Sequence, residues 1–197
     1  MSQITVDPAA IQRYGQQANE CFADARRSLE QLVAHVVEVR YEGPNAVEFK
    51  RNCGNLAAEV SQSLLQDMQR IADGVSGSTS AIAAALGGSP VTIAVNSSPV
   101  AVPSVPGDTG VYSADTSGLS ALTGTVAADL GQVSAALAEH QAALAATGDA
   151  WSGQAKNAAV DVVARFTAAA DESVSVAKSR VVDFINSQIQ AVTAADR

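Results

Sequence analysis

The segment VEVRYEGPNAVEF, residues 37–49, interrupts one helical pattern and begins another, and TGDAWSGQAKNAA, residues 147–159, does the same later in the chain. Each contains an aromatic residue, one intervening residue and a glycine. We call Tyr41-Glu42-Gly43 the first bend and Trp151-Ser152-Gly153 the second bend; Trp151 follows Tyr41 by 110 residues. Glycine allows the positive φ that a sharp bend requires. Two such bends at this period predict an internal duplication of one helical hairpin.

Four amphipathic helices are predicted around the two bends. Asp7 and Asp115 are good N-cap residues and lie 34 and 36 residues before Tyr41 and Trp151, respectively. From each of these starts, apolar residues recur every three or four positions, which is the helical signal. The stripes are Ile11, Tyr14, Ala18, Phe22, Ala25, Leu29, Leu32, Val36 and Val39; then Phe49, Cys53, Leu56, Val60, Leu64, Met68, Ile71, Val75 and Ile82; then Leu119, Leu122, Val126, Leu130, Val133, Leu137, His140 and Leu144; and then Ala155, Ala159, Val162, Phe166, Ala169, Val174, Ala177, Val181, Phe184, Ile189 and Val192.

The ends of these helices have recognisable signals. Gly43 is expected to end the first helix and Pro44 to open the second, because proline suits the first position of a helix. Asp115, Thr116 or Ser117 is expected to cap the third helix, and Ser152 the fourth. Helices joined by a tight bend run antiparallel, so residues 1–86 form one hairpin and residues 116–197 a second.

Residues 87–115, which we call the linker, break the helical period. Four prolines and four glycines exclude a helix there. Val91, Ile93 and Val95 alternate with smaller or polar residues, so the segment is expected to be extended and to lie along the helices. Its 29 residues reach up to about 90 Å, which lets the second hairpin start at the opposite end of the first. The predicted fold is all-α: two helical hairpins in one elongated antiparallel four-helix bundle, joined by a long extended Pro/Gly linker.

Composition supports helices and excludes some functions. Apolar residues make up 47% of the chain but aromatic residues only 4%, which suits close-packed alanine-rich helices better than a sandwich or barrel. The net charge of −8 and the interspersed signs argue against a nucleic-acid partner. Residues 81–86, the longest apolar run, are too few to span a membrane. Residues 1–10 lack the features of a secretory signal peptide, so any export is expected to use another route.

Catalytic and metal-binding patterns are absent from the sequence. Cys21 and Cys53 fall on apolar stripes and are expected to be small core residues, too far apart for a disulfide; their redox state stays open. His140 also falls on a stripe and is expected to be a satisfied core or edge histidine rather than a metal ligand, while His35 is expected to pair with Glu38 on the helix surface. We therefore predict no enzyme activity, no cofactor and no metal.

The two bends carry a resemblance to a known family. A helical hairpin of about 100 residues with Trp-X-Gly at its bend resembles the WXG family of small proteins exported by type VII secretion, the early-secreted-antigen type. Trp151-Ser152-Gly153 fits that pattern, and Tyr41-Glu42-Gly43 fits it with tyrosine in place of tryptophan. Members of that family pair into antiparallel four-helix bundles. The resemblance covers both hairpins but not the linker, and it implies that this chain is such a dimer fused into one polypeptide.

The same resemblance implies a function and leaves alternatives. The leading expectation is a secreted protein that acts by binding, either as a type VII substrate or as a co-secreted partner, with the secretion machinery as a further partner. The family's export signal, Tyr followed four residues later by Asp or Glu, is missing: Tyr14, Tyr41 and Tyr112 are followed at that position by Ala18, Asn45 and Thr116. This favours the alternative, a cytoplasmic helical adaptor or chaperone for a secreted effector. A third candidate is a membrane-interacting helical protein.

Assembly and the state of the bend aromatics are also predicted. Because one chain supplies both hairpins, a self-contained monomer is expected, with a homodimer as the alternative. Trp151 is expected to be packed on one side and open on the other, since a bend at the tip of a bundle is hard to enclose. Tyr41 is expected to behave alike, with its hydroxyl reaching solvent.

Overall fold

A computed structural model describes residues 6–86, 88–107, 110–111 and 113–195. Four α-helices dominate it, and 81% of the described residues are helical. The helices are α1 (Pro8–Glu38), α2 (Pro44–Leu86), α3 (Thr116–Ala146) and α4 (Gln154–Ala195). Two two-residue strands, β1 (Tyr41–Glu42) and β2 (Ser113–Ala114), form the only named sheet in the described part of the chain. The all-α prediction is confirmed, whereas Gly87, Tyr112 and Arg197 lie outside the described residues.

Aspartates cap the first helix of each hairpin. Asp7 Oδ1 accepts a 2.9 Å hydrogen bond from the Ala9 amide, and Asp115 Oδ1 accepts one of 3.0 Å from the Gly118 amide. Hydrogen bonds from Ser117 and Gly118 also lower the pKa of Asp115. Both predicted starts are therefore confirmed, and each rests on a side-chain oxygen that satisfies a helix amide without an internal partner.

The helix ends at the bends differ from the sequence prediction. Helix α1 ends at Glu38 rather than at Gly43, because residues 39–42 are drawn out of the helix and Tyr41–Glu42 joins a sheet. Helix α4 begins at Gln154, so the residue before it is Gly153, and the predicted cap Ser152 is one residue too early. Pro44 opens α2 as predicted.

Two compact units divide the described chain, and each takes part of all four helices. The described residues of the first unit are 6–26, 64–86, 88–97 and 134–172. Those of the second unit are 27–63, 98–107, 110–111, 113–133 and 173–195. The sequence predicts a division at the helix ends, into hairpin 1–86, linker 87–115 and hairpin 116–197. The two compact units are a different grouping, because each contains segments of both hairpins. For the helical segments alone, exchanging the two hairpins converts one unit approximately into the other.

The two hairpins correspond residue by residue. Helices α1 and α3 both contain 31 residues and start after equivalent aspartates, so position n in α1 corresponds to n + 108 in α3. Ten corresponding pairs are buried in both helices: Ile11/Leu119, Tyr14/Leu122, Ala18/Val126, Cys21/Asp129, Phe22/Leu130, Ala25/Val133, Ser28/Ala136, Leu29/Leu137, Leu32/His140 and Val36/Leu144. Shared burial at helical spacing supports the duplication that the bends predicted.

The apolar stripe of α4 was predicted on a partly wrong face. Ala169 is exposed and Val162 and Phe166 are half-buried, whereas the buried residues of that region are Val163, Thr167 and Ala170. From Val174 through Val181 the predicted and observed stripes agree. Alanine occurs on every side of this half of α4, so the apolar pattern has too little contrast to locate the buried face.

The linker contacts the first hairpin within the first unit. Val91 and Ile93 are buried. The backbone is held by side chains of both helices: the Ile93 amide donates to Ser76 Oγ at 3.2 Å, and the Ala94 amide donates to Asn19 Oδ1 at 2.8 Å. A Cβ at Gly15 would lie only 2.3 Å from Val91 Cγ1, so the missing side chain makes room for this valine.

In the second unit the linker again packs against the first hairpin. Val100 is buried, and a Cβ at Gly54 would lie 3.0 Å from Val102 Cγ1. Ser113–Ala114 then pairs with Tyr41–Glu42. In the second hairpin the positions that correspond to Gly15 and Asn19 are Thr123 and Ala127, which offer neither the space nor the acceptor.

Gly15→Ala is expected to lower the free energy of unfolding by about 1–2 kcal/mol. The overpacking against Val91 should outweigh the gain of about 1 kcal/mol that alanine brings inside a helix. Gly77→Ala is the matched control, because a Cβ at Gly77 meets nothing within 4 Å and should stabilise by roughly that gain. Urea unfolding followed by circular dichroism measures both. Adding Val91→Ala should relieve Gly15→Ala, and a Gly15 variant as stable as the control would contradict packing of the linker here.

Candidate functional site

The second bend is joined to the chain just before α1. Val6 forms an antiparallel bridge with Trp151, and the Asp7 amide donates to the Ala150 carbonyl at 2.6 Å. A 3₁₀ turn, Gly148–Ala150, precedes the bridge. Gly153 has φ 104°, which strains any residue with a Cβ. The bend therefore depends on a glycine conformation and on a bridge to a residue of the other hairpin.

The first bend is built the same way in the second unit. Ala114 pairs with Tyr41 and Ser113 with Glu42, again antiparallel, and Gly43 has φ 118°. Val6 immediately precedes the capping Asp7, and Ala114 immediately precedes the capping Asp115. Each bend aromatic therefore pairs with the corresponding residue of the opposite hairpin. This reciprocity is the strongest structural sign that the two hairpins are paired copies.

The side chains around the two bends differ. Tyr41 packs edge-on to Phe49 at 5.7 Å between ring centroids, and Phe49 stacks on Phe184 at 5.6 Å. The positions in the second hairpin and in α2 that correspond to Phe49 and Phe184 are Ala159 and Gly74. The first bend thus brings three rings into contact, whereas the corresponding positions in the other half of the repeat hold one indole and two small residues.

Both bend aromatics are more enclosed than predicted. Trp151 is 0% exposed, so the expectation of an indole open on one side is wrong. Tyr41 is 6% exposed, and its hydroxyl accepts a 2.7 Å hydrogen bond from Gln188 Nε2 instead of reaching solvent. Pairing with the opposite hairpin covers each bend, and local sequence does not reveal that pairing. Among the described residues, Trp151 Nε1 has no hydrogen-bond partner.

Gly43→Ala and Gly153→Ala should each lower the free energy of unfolding by about 1–2 kcal/mol. An alanine at φ 118° or 104° is strained, and relief of the strain would move the neighbouring strand pair. Gly124→Ala is the control, since Gly124 lies within α3 and a Cβ there meets nothing within 4 Å. Thermal melts of the three variants compare them directly. Bend variants that melt at the parent's temperature would show that the positive φ is dispensable.

A cavity of about 380 Å³ lies beside the first bend in the second unit. Its lining combines the bend, the start of α2, strand β2 and the last turns of α4. The residues are Tyr41, Glu42, Gly43, Pro44, Asn45, Ala46, Ser113, Ala114, Gln188, Ala191, Val192 and Ala195. Small side chains and exposed backbone of a short sheet are suited to receive an apolar side chain of another protein.

A buried polar pair lies in the core of the first unit. Tyr14 Oη and His140 Nε2 are 2.8 Å apart, and Phe22 packs on the imidazole at 4.8 Å between ring centroids. His140 is 0% exposed, and burial lowers its pKa to about 4. Burial also raises the pKa of Tyr14. The predicted burial of His140 is confirmed, but only its Nε2 has a hydrogen-bond partner, and among the described residues its buried Nδ1 has none. Its partner Tyr14 lies 126 residues away, which the sequence does not predict.

Two further polar contacts connect α1 and α3 in the second unit. His35 Nδ1 donates to Asp129 Oδ2 at 2.8 Å, and Ser28 Oγ donates to Gln132 Oε1 at 3.1 Å. The predicted surface pair of His35 with Glu38 is therefore wrong. Asp129 is 4% exposed, and a buried carboxylate attracts the imidazole more strongly than a solvated glutamate does.

The described residues offer little reactive chemistry. Cys21 and Cys53 are free and buried as expected, and burial raises their pKa values to about 11 and about 12. Residues 6–86, 88–107, 110–111 and 113–195 contain no group of three or more His, Cys, Asp and Glu placed to hold a metal ion. In that same part of the chain, no helix combines the length and the hydropathy needed to cross a membrane.

Comparisons with known proteins matched no family model, no curated protein and no solved structure. Function is therefore inferred from the bends and the contacts described above.

Proposed function

We propose that the chain is a fused pair of WXG-type hairpins that acts without catalysis, by binding other proteins as a substrate or co-secreted partner of type VII secretion. The observation that carries this is the reciprocal pairing of the bends: Val6 with Trp151, and Ala114 with Tyr41. Two copies of one hairpin that pair as a dimer would each supply the residue that pairs with the bend of the other copy. In this chain the linker joins the two copies covalently. In this proposal the hairpins run antiparallel in one elongated four-helix bundle.

The cavity beside the first bend is the proposed contact for a partner. It combines a bend motif with the end of α4, and Ala191 on its wall is exposed. Ala191→Trp should fill the cavity and abolish partner capture while leaving the melting temperature nearly unchanged. Ala168→Trp, at another exposed position of α4, is the matched control. Equal capture by both variants would remove the cavity from the proposal.

An intracellular adaptor is the second candidate. The observation that favours it is the absence, among the three tyrosines of the sequence, of one followed four residues later by Asp or Glu. An adaptor would keep the same binding cavity but remain in the cytoplasm with its effector.

The test is export from a bacterium that has a type VII system, compared with an isogenic strain in which the system is inactivated. The untagged protein should appear in the culture filtrate of the first strain only, with a cytosolic enzyme as the lysis control. Retention in the cells of both strains would overturn secretion and support the adaptor. Release from both strains would show that export does not depend on this system.

A further inference from the structure

Three polar contacts between α1 and α3 have no polar counterpart in the repeat. They are Tyr14 with His140 in the first unit, and His35 with Asp129 and Ser28 with Gln132 in the second. In each contact at least one residue is buried. A buried polar group is stable only with a hydrogen-bond partner, so each contact constrains which helix can lie against α1.

The correspondence between α1 and α3 shows what replaces each contact. The positions equivalent to Tyr14 and His140 are Leu122 and Leu32, both buried and apolar. Those equivalent to His35 and Asp129 are Ala143 and Cys21; those equivalent to Ser28 and Gln132 are Ala136 and Asp24. The hairpins therefore share their apolar pattern but differ where polar side chains enter the core.

Pairing of like hairpins would separate these partners. In two copies of the first hairpin with the same register, Tyr14 of each copy would face Leu32 of the other. In two copies of the second hairpin, His140 would face Leu122 and Asp129 would face Ala143. A buried carboxylate or imidazole without a partner is strongly unfavourable, so like pairs of the second hairpin should be less stable than like pairs of the first.

We infer that the α1 face carrying Tyr14, Ser28 and His35 is an interface that selects the α3 face of the second hairpin and rejects a second copy of itself. The partner that fits is hairpin 116–197 of the same chain or of another copy of this chain. Because the two hairpins share their apolar pattern, the polar contacts determine which hairpin pairs with which. Single buried polar residues are known to fix pairing in coiled coils in the same way.

The experiment starts from the full-length folded protein with a protease site inserted after Gly107, where a Cβ meets nothing within 4 Å. Cleavage removes the linker's high effective concentration, which would otherwise favour pairing within one chain whatever the polar contacts. Isotopically heavy and light cleaved proteins are mixed, taken through denaturation and refolding, and analysed by native mass spectrometry. Pairs that contain one heavy and one light hairpin prove that the hairpins have exchanged partners. The masses also distinguish mixed pairs, which contain one first and one second hairpin, from like pairs, which contain two first or two second hairpins.

The parent should form mixed pairs in at least about tenfold excess over like pairs, since one buried group without a partner costs about that factor. Tyr14→Leu/His140→Leu combined with His35→Ala/Asp129→Ala removes both polar pairs and leaves only small or apolar side chains at these positions and at their equivalents in the other hairpin, so like pairs should rise toward their statistical share. Ile11→Val/Leu144→Val is the matched control, because it alters buried apolar residues of the same helices and should keep the parent's excess.

Statistical pairing in the parent would overturn the inference, and so would mixed pairs alone in the four-substitution variant. If that variant does not refold, Tyr14→Leu/His140→Leu alone is tested: it removes one mismatch from like pairs of each hairpin and should raise both kinds of like pair, and an unchanged ratio is contrary evidence. The assay measures no export, so its result is independent of the secretion proposal.

Discussion

Trp151→Ala should lower the free energy of unfolding by about 3–5 kcal/mol, the range for removing a fully buried tryptophan. The indole is 0% exposed, and its backbone forms the bridge with Val6. The substitution leaves a cavity where the second bend meets the chain before α1. Urea unfolding monitored by circular dichroism at 222 nm measures the loss, because the variant contains no tryptophan for fluorescence.

Two comparisons distinguish burial of the indole from a general sensitivity of the bends. Tyr41→Ala should be weaker, because Tyr41 is slightly exposed and is smaller than tryptophan. Trp151→Phe should retain part of the stability because it refills some of the cavity. In the parent, acrylamide should quench the tryptophan fluorescence far less in the native than in the unfolded state. Equal quenching, or an alanine variant as stable as the parent, would contradict a buried structural role.

Local features of the fold could be predicted because their causes lie close in sequence. Asp7 and Asp115 cap helices through amides two or three residues away, and Pro44 opens α2 by its own geometry. The positive φ at both bend glycines was also predicted correctly. The duplication itself was visible because the bends and caps repeat with nearly equal spacing.

Features that depend on the opposite hairpin were missed. The bridge from Val6 to Trp151 joins residues far apart in sequence, and no residue pattern predicts it. Without that bridge a bend appears to be an open tip, which is why Trp151 was expected to be partly exposed. His35 was paired with Glu38 for the same reason, since sequence reasoning considered only its own helix. Sequence can identify a buried polar residue by its place on an apolar stripe, but it cannot name the partner across the core.

The stability of the parent should fall as the pH is lowered from about 6.5 to about 4, and His140 should account for up to about 3 kcal/mol of that fall. Burial holds the pKa of His140 near 4 in the folded protein, against an ordinary value of 6.5. Between these values the unfolded chain binds a proton that the folded chain refuses, so the contribution is complete above pH 6.5 and is lost toward pH 4. Tyr14 has the opposite dependence: its raised pKa keeps the folded phenol protonated, so stability is also lost once the pH rises above about 10.

The measurement compares unfolding free energies of the parent and of Tyr14→Leu/His140→Leu from pH 4 to 8. The double variant removes both members of the pair, so neither Tyr14 nor His140 is left buried without the other, and its corresponding positions in the second unit are already leucines. Its curve should lack the part of the slope that belongs to His140, and no other change of slope is expected. A parallel pair of curves would show that His140 is solvated or charged in the folded protein. A difference between the two unfolding free energies that changes by up to about 3 kcal/mol from pH 7 to pH 4, at the parent's expense, would instead assign this acid sensitivity to His140.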